Sequence, residues 1–384
     1  MDTTIWHFTA ADTLFFGAGK PMNAGESSWI DSQFPPNGFT LQGTVRTAIL
    51  FHNNADIQAF LVGNPCLENG DSLSAEIGDA TSLGRLDLIG PFFQLNDKLL
   101  LPVPLDLITN TQRESTLLKP AEQPVHCDLG KIRLPVSSVS GGYKINESAY
   151  LSLPDMAKLL KGESAGIEII PQFSGEHNAK ALADKEPKIG LARDNSTRNN
   201  LESMLFAIAP VRMRPNVGLQ LQVKGIHANH IPNQTFLQKL GGEGKLANIQ
   251  ISQQHLAMPA PQLANTGQKI RFKLVLIQPA LMPVAGWLPE GFVQISKQEY
   301  HCWNGVIDDC QFDIISACIG KPIKIGGWDL QKHQSKPHQA YIPAGSVYFC
   351  EADAVDQDKV EKLHNTKLGL NTQYGFGHVL VGLW

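Results

Sequence analysis

The chain has 384 residues, of which 42% are hydrophobic and 18% charged, and its formal net charge is −4. Such a composition excludes disorder over most of the length, and the mild acidity means that a nucleic-acid role must rest on a local basic surface. At roughly 100 to 200 residues per domain, two domains are expected. From the start, Thr4 to Phe8 alternate as a strand does, Leu14-Phe15-Phe16 adds a short apolar run, and a Gly- and Pro-punctuated loop runs from Gly17 to Pro36. Leu41, Val45, Ala48, Ile49 and His52 then form the stripe of an amphipathic helix, with Thr40 as its expected N-cap. Gly84 to Ile108 reads as two β segments around Asn96-Asp97.

From Leu107 to Lys144 there is little periodicity, which predicts an insertion or long functional loop. "LSLPDMAKLLKGE" carries a short helix beginning near Pro154 and stopping before Gly162. "SMLFAIAPVRMRPNVGLQLQVKG" gives two β runs joined at Pro215-Asn216-Val217-Gly218, the signal of a hairpin. In "KIRFKLVLIQPAL", Ile270, Phe272, Leu274 and Leu276 fall on one face of a strand. "AGSVYFCEA" predicts another strand, "DQDKVEKLHNT" a short helix, and Val379, Val381 and Leu383 one face of a last strand.

Cys66, Cys127, Cys302, Cys310, Cys318 and Cys350 form no C-x-x-C pair, which suits free thiols in a reducing cytosol. No basic-then-apolar leader opens the sequence, and nowhere do 18 apolar residues run together. A soluble, cytoplasmic protein without membrane contact is expected.

Three stretches suit RNA. In "YGFGHVLVGLW" the glycines precede a β-type segment, so a nucleotide cradle, which needs a helix there, is excluded. Two readings stand: a structural turn feeding a tied-down strand, or backbone at Gly375 and Gly377 facing a phosphate with Tyr374 and Phe376 stacking on bases. "EPKIGLARDNSTRNN" sets Lys188, Arg193 and Arg198 around a flexible centre, as a phosphate-clamping arm or a solvated loop. "KPIKIGGWDLQKHQSKPH" surrounds Gly326-Gly327-Trp328 with Lys321, Lys324, Lys332, His333, Lys336 and His338, an interleaving of charge and aromatic that suits single-stranded RNA. Catalytic signals are thin. His227-x-x-His230 lacks a ligand partner at a diagnostic spacing, and His7, His333 and His378 have no adjacent base or acid. No metal or cofactor is expected.

Taken in order, "DTLFFGAGKPMNAGE", "FPPNGFTLQGTVRTAIL", "KIGLARDNSTRNNLESMLFAIAPVRMR", "LGGEGKLA", "KIGGWDLQKHQSKPHQAYIPAGSVYFCEAD" and "GLNTQYGFGHVLVGLW" resemble the third subunit of the Cmr complex, a RAMP-superfamily component of type III-B CRISPR defence. The resemblance implies an α+β fold of two tandem ferredoxin-like (RRM-related) domains with long loop insertions, placed here at 1–200 and 201–384. It implies a non-catalytic scaffold that grips the 5′ tag of the CRISPR RNA between the large polymerase-like subunit and the backbone RAMP subunit. The expected RNA contacts are Arg46, Lys188, Gly190, Arg193, Arg198, Gly326, Gly327, Lys332, His333, Tyr374, Gly375, Phe376 and Gly377. The alternative within the superfamily is an endoribonuclease that processes CRISPR repeats.

Overall fold

The computed structural model describes residues 2–17, 29–70, 73–79, 82–174, 180–265, 267–283, 286–329 and 334–384. The fold is sheet-rich α+β, with many strands and few helices. It divides into two compact units, each drawn from three segments: 1–97, 172–256 and 324–339 in the first, 98–171, 257–323 and 340–384 in the second. The boundary expected at residue 200 falls inside the first unit, within the paired strands Lys188–Arg193 and Asn200–Ala209.

The first unit is built on an antiparallel ladder in the order Asp87–Leu95, Val217–Ile226, Asp2–Ala10, Leu246–Ser252, Phe236–Lys239. Strand alternation separates two chemistries on Asp2–Ala10. Trp6 and Phe8 are 0% and 1% exposed and sit with their rings 6.5 Å apart, whereas the intervening His7 ring lies within 3.2 Å of Gln94 Oε1 and of Ser252 Oγ. The helix Gly38–His52 buries Leu41, Val45, Ala48 and Ile49 as its periodicity predicts, while His52 is exposed. Its cap is Asn37, whose Oδ1 accepts from the Thr40 N–H at 3.2 Å, so Thr40 lies inside the helix.

The expected hairpin at Pro215-Asn216-Val217-Gly218 is corrected by the pairing. Val211–Met213 pairs with Ala183–Lys185, and Val217–Ile226 joins the large ladder, so the turn hands the chain from one sheet to another. Asn216 takes φ +63° there, which explains the turn signal in the sequence.

In the second unit the ladder runs Ala264–Asn265, Lys269–Leu276, Val347–Asp353, Cys310–Cys318, His301–Ile307, Val293–Ser296, and Val379–Gly382 also pairs with Lys269–Leu276. Ile270, Phe272, Leu274 and Leu276 share one face and form the core with Tyr348, Cys350, Phe312, Ile314, Val379 and Val381. The helix Gln357–Lys362 contributes Val360 to that core. The helix Leu153–Leu160 begins where the sequence predicts, capped by Ser152, whose Oγ accepts from the Asp155 N–H. The span 107–145 is not structureless: Leu107–Thr109 pairs with Ser115–Leu117 and with Lys144–Ile145, and Val125–Cys127 pairs with Gly130–Ile132. No described helix is long and apolar enough to cross a membrane.

Candidate nucleic-acid interface

Basic side chains in the first unit fall into two groups, and their partners decide which group is available to a ligand. Arg46, on the first helix, donates to the backbone carbonyls of Ile77 and Ser82, holding both against the helix. Arg212 donates to Glu186 and, at 2.8 Å, to Asp12. Arg214 donates to both Asp184 oxygens at 2.9 and 3.1 Å, and Lys185 pairs with Asp31 at 3.0 Å. These cations are committed to the fold. Their hydrogen bonds hold the carboxyls of Asp12, Asp184 and Glu186 below the usual range.

Lys188 and Arg198 behave differently. Both are exposed, and no carboxylate pairs with either among the described residues. Lys188 lies in the strand Lys188–Arg193, which pairs with Asn200–Ala209 so that Lys188 is opposite Ile208 and Gly190 opposite Phe206. Arg198 sits at φ +57° in the connecting turn, and Asp194 is drawn into the same turn by accepting from the Ser196 N–H and Oγ at 2.7 Å each. That bond to Ser196 lowers the Asp194 pKa and occupies the turn's acid locally. Beside Lys188, Ile189 is 72% exposed. The backbone of Arg193 completes the ladder opposite Asn200.

Residues 29–39 join this arm to the Gly-Gly segment within the same unit. Trp29–Asp31 pairs in parallel with Ala207–Ala209, and Gln33 Nε2 donates to the Lys324 carbonyl at 3.3 Å. Lys336 Nζ stands 5.4 Å from the centre of the Phe39 ring, a cation–π contact. A Cβ on Gly327 would meet Phe39 at 3.5 Å, whereas on Gly326 it would meet the ring of the exposed His338 at 2.7 Å, so a side chain at 326 would require that ring to shift. Trp328, next to the pair, is 60% exposed. Lys332 and His333 lie outside the described residues.

The Gly375-Phe376-Gly377 turn belongs to the second unit and is buried. Phe376 is 2% exposed, with its ring 4.7 Å from that of Tyr341, and Gly375 and Gly377 take φ +94° and +77°. The Gly377 N–H donates to the Pro279 carbonyl at 2.7 Å and the Leu368 N–H to that of Gly377 at 2.8 Å. The structural reading of this motif therefore describes its geometry: the turn positions Val379–Gly382 for pairing. Tyr374 is half-buried in the short 3₁₀ turn before it.

Two features escaped sequence reasoning. One is the antiparallel pairing of the β run read at 203–209 with Lys188–Arg193, across the polar "RDNSTRNN". His227 and His230 converge on one buried carboxylate 151 and 154 residues upstream: Glu76 accepts from the His227 N–H at 2.9 Å and lies 3.0 Å from His230 Nδ1. Nothing local to the H-x-x-H spacing marks Glu76 as the partner.

A chain of type III-B Cmr-beta bound to cognate target RNA and AMPPnP, solved by cryo-EM, is 13% identical, with a TM-score of 0.47 over 90% of this chain and 86% of that one. A second Cmr-beta structure, bound to cognate target RNA, gives 14% identity and a TM-score of 0.46 over 94% and 89%. A chain of the Csm1–Csm4 cassette in complex with pppApA gives 11% and 0.34 over 90% and 98%. No curated protein sequence matches the chain. The family model Cas_Cmr3, described as a CRISPR-associated protein, matches residues 6–384, and the chain belongs to that family.

Proposed function

We propose that the chain is a non-catalytic, RNA-binding scaffold of a type III-B effector complex, gripping the 5′ tag of the CRISPR RNA and bridging the large polymerase-like subunit to the backbone RAMP subunit. The observation that carries the reading is the contrast among the basic residues of the first unit. Arg46, Arg212, Arg214 and Lys185 are tied to carbonyls and carboxylates, while Lys188 and Arg198 stand exposed on a ladder that shares its floor, residues 29–39, with Gly326-Gly327. Exposed cations without a carboxylate partner suit phosphate contacts, and the exposed Ile189 next to Lys188 and Trp328 next to Gly327 suit splayed bases. RNA would be held by Lys188, Arg193 and Arg198 and by close backbone approach at Gly190, Gly326 and Gly327, with Lys332 and His333 in the same segment. Arg46 and the Gly375–Gly377 turn would act by holding the fold.

The ferredoxin-like plan belongs to the same proposal. Asp2–Ala10, the helix Gly38–His52 and Asp87–Leu95 give a strand–helix–strand in one unit, and Val347–Asp353, the helix Gln357–Lys362 and Val379–Gly382 give another in the second.

The test replaces Lys188, Arg193 and Arg198 with Ala in the reconstituted complex. Guide RNA retention is expected to fall about tenfold or more, with the salt slope of binding reduced by about 2 for three lost phosphate contacts. An unchanged slope would remove the arm from the interface. Labelled repeat RNA incubated with the chain in EDTA is expected to stay intact, and specific cleavage would replace the scaffold reading with that of a processing endoribonuclease.

A further inference from the structure

The strands Lys188–Arg193, Asn200–Ala209 and Trp29–Asp31 form a three-stranded sheet within the first unit, and its register lines up two rows of side chains. Lys188, Ile208 and Ile30 stand opposite one another in one row, and Ile189, Ala207 and Trp29 in the next. Directly paired residues share a face and successive residues alternate, so the two rows point to opposite sides of the sheet. Ile208 and Ile30 are 7% and 2% exposed and pack with Phe15, which makes theirs the core side. The other side carries an isoleucine 72% exposed and an indole 42% exposed, flanking the small, buried Ala207. Together they make an apolar strip about 10 Å across, two strand spacings.

The strip is held in place on a fixed backbone. Ser32 Oγ accepts from the Phe16 N–H at 2.9 Å and the Gln33 N–H donates to the Phe16 carbonyl at 2.7 Å, which anchors the chain next to Trp29–Asp31. A preset indole offers a large contact area with little conformational entropy left to lose. Charge narrows the choice of occupant. Asp31, two residues on from Trp29 and on the same face, is neutralised by Lys185 at 3.0 Å. Lys188, next to Ile189, is exposed, and no carboxylate pairs with it among the described residues. A protein side chain would use the apolar strip alone, whereas the cation at its border calls for an anion as well. A nucleotide supplies both, a flat base and a phosphate.

We propose that this strip is a base platform: one unstacked nucleobase of the guide RNA lies on the Trp29 indole and against Ile189, with its phosphate turned toward Lys188. The platform rests on the RNA-binding reading above and adds Trp29 to it as the residue that holds a base. Stacking on an indole is open to every base, so the platform fixes the position of a nucleotide rather than its identity.

The test uses the reconstituted complex and guides carrying a single abasic nucleotide, scanned through the 5′ tag. One abasic position is expected to weaken guide binding about tenfold, the loss of one base–aromatic stack. Trp29→Ala should weaken the intact guide by the same factor with the salt slope unchanged. Trp29→Phe should restore most of the binding, and the abasic guide should lose nothing further in Trp29→Ala. A scan without a sensitive position, additive losses, or full guide binding by Trp29→Ala overturns the proposal. Ile189→Gln, at a position 72% exposed, decides the matter if Trp29→Ala fails to fold. It should weaken the intact guide about threefold or more and leave the abasic guide unaffected, and equal losses on both guides overturn the proposal. Release of a protein subunit from the Trp29→Ala complex with guide affinity intact assigns the strip to a protein and overturns it too. If Trp29→Ala binds fully while the combined Ala variant of Lys188, Arg193 and Arg198 does not, the platform alone falls. If neither affects the guide, the RNA-binding reading falls with it.

Discussion

Gly377 occupies a left-handed backbone conformation, φ +77°, and a Cβ there would overlap the Leu368 carbonyl oxygen. Gly377→Ala is expected to cost about 3 kcal/mol, from the left-handed strain and the displaced Leu368 backbone together, measured as a fall in urea midpoint at unchanged m. The thiols give a second residue-scale outcome. Burial pushes Cys302 and Cys310 up to about 11 and Cys318 to about 12, and drives Cys350 well above its ordinary value. Thiolate is the reactive form, so native alkylation should consume exposed Cys127 first, with the buried cysteines reacting only after denaturation, read by mass spectrometry. The glycines of "YGFGHVLVGLW" announce a turn in the sequence. Which way it faces depends on Leu368, Pro279 and Tyr341, and no local pattern encodes those partners.

Among the elements, periodicity located the helices and strands that bury one face, because burial itself imposes the period. The first helix and the Lys269–Leu276 strand were legible for that reason. The cap was not: the apolar stripe begins at Leu41, which points to Thr40, whereas the helix starts a turn earlier at Gly38 with Asn37 as acceptor. Asn37→Ala should cost about 1 kcal/mol of thermal stability. The supposed hairpin after Met213 shows the other limit, since turn chemistry fixes a change of direction but not the strand's next partner. The Arg214–Asp184 pair belongs at this scale, because it links the strand Ala183–Lys185 to the chain just beyond Met213. Hydrogen bonds from Arg214 and then Ser174 lower the Asp184 pKa from 3.8. A depressed folded-state value means the contribution is complete above the unfolded pKa and lost as pH falls through the folded one. Arg214→Ala should thus lower the melting temperature at neutral pH and flatten its decline below about pH 4.

For the whole molecule, two α+β units were foreseeable from length and mixed patterning, but their composition from interleaved segments was not, because long-range pairing leaves no mark on local periodicity. The candidate interface shows the same limit. Its basic residues were visible one by one, while the distinction between those committed to ion pairs and those left exposed depends on acids far off in the sequence, such as Asp12 for Arg212. Fragments 1–200 and 201–384 expressed separately are expected to lack cooperative unfolding and amide protection. The first would lose Val217–Ile226, which lies between Asp2–Ala10 and Asp87–Leu95 in the ladder.

The pairing of Asp2–Ala10 with Val217–Ile226 on one side and Leu246–Ser252 on the other sets a timetable for synthesis. At about 5 to 20 residues per second, some 10 to 50 seconds separate emergence of the first strand from that of its second neighbour. Until Val217–Ile226 emerges, Trp6 and Phe8 have no sheet to enter, and the nascent chain carries an unpaired, aromatic β-segment. Expression should therefore respond more strongly to ribosome-associated chaperones and lowered temperature than the stability of the finished protein would suggest.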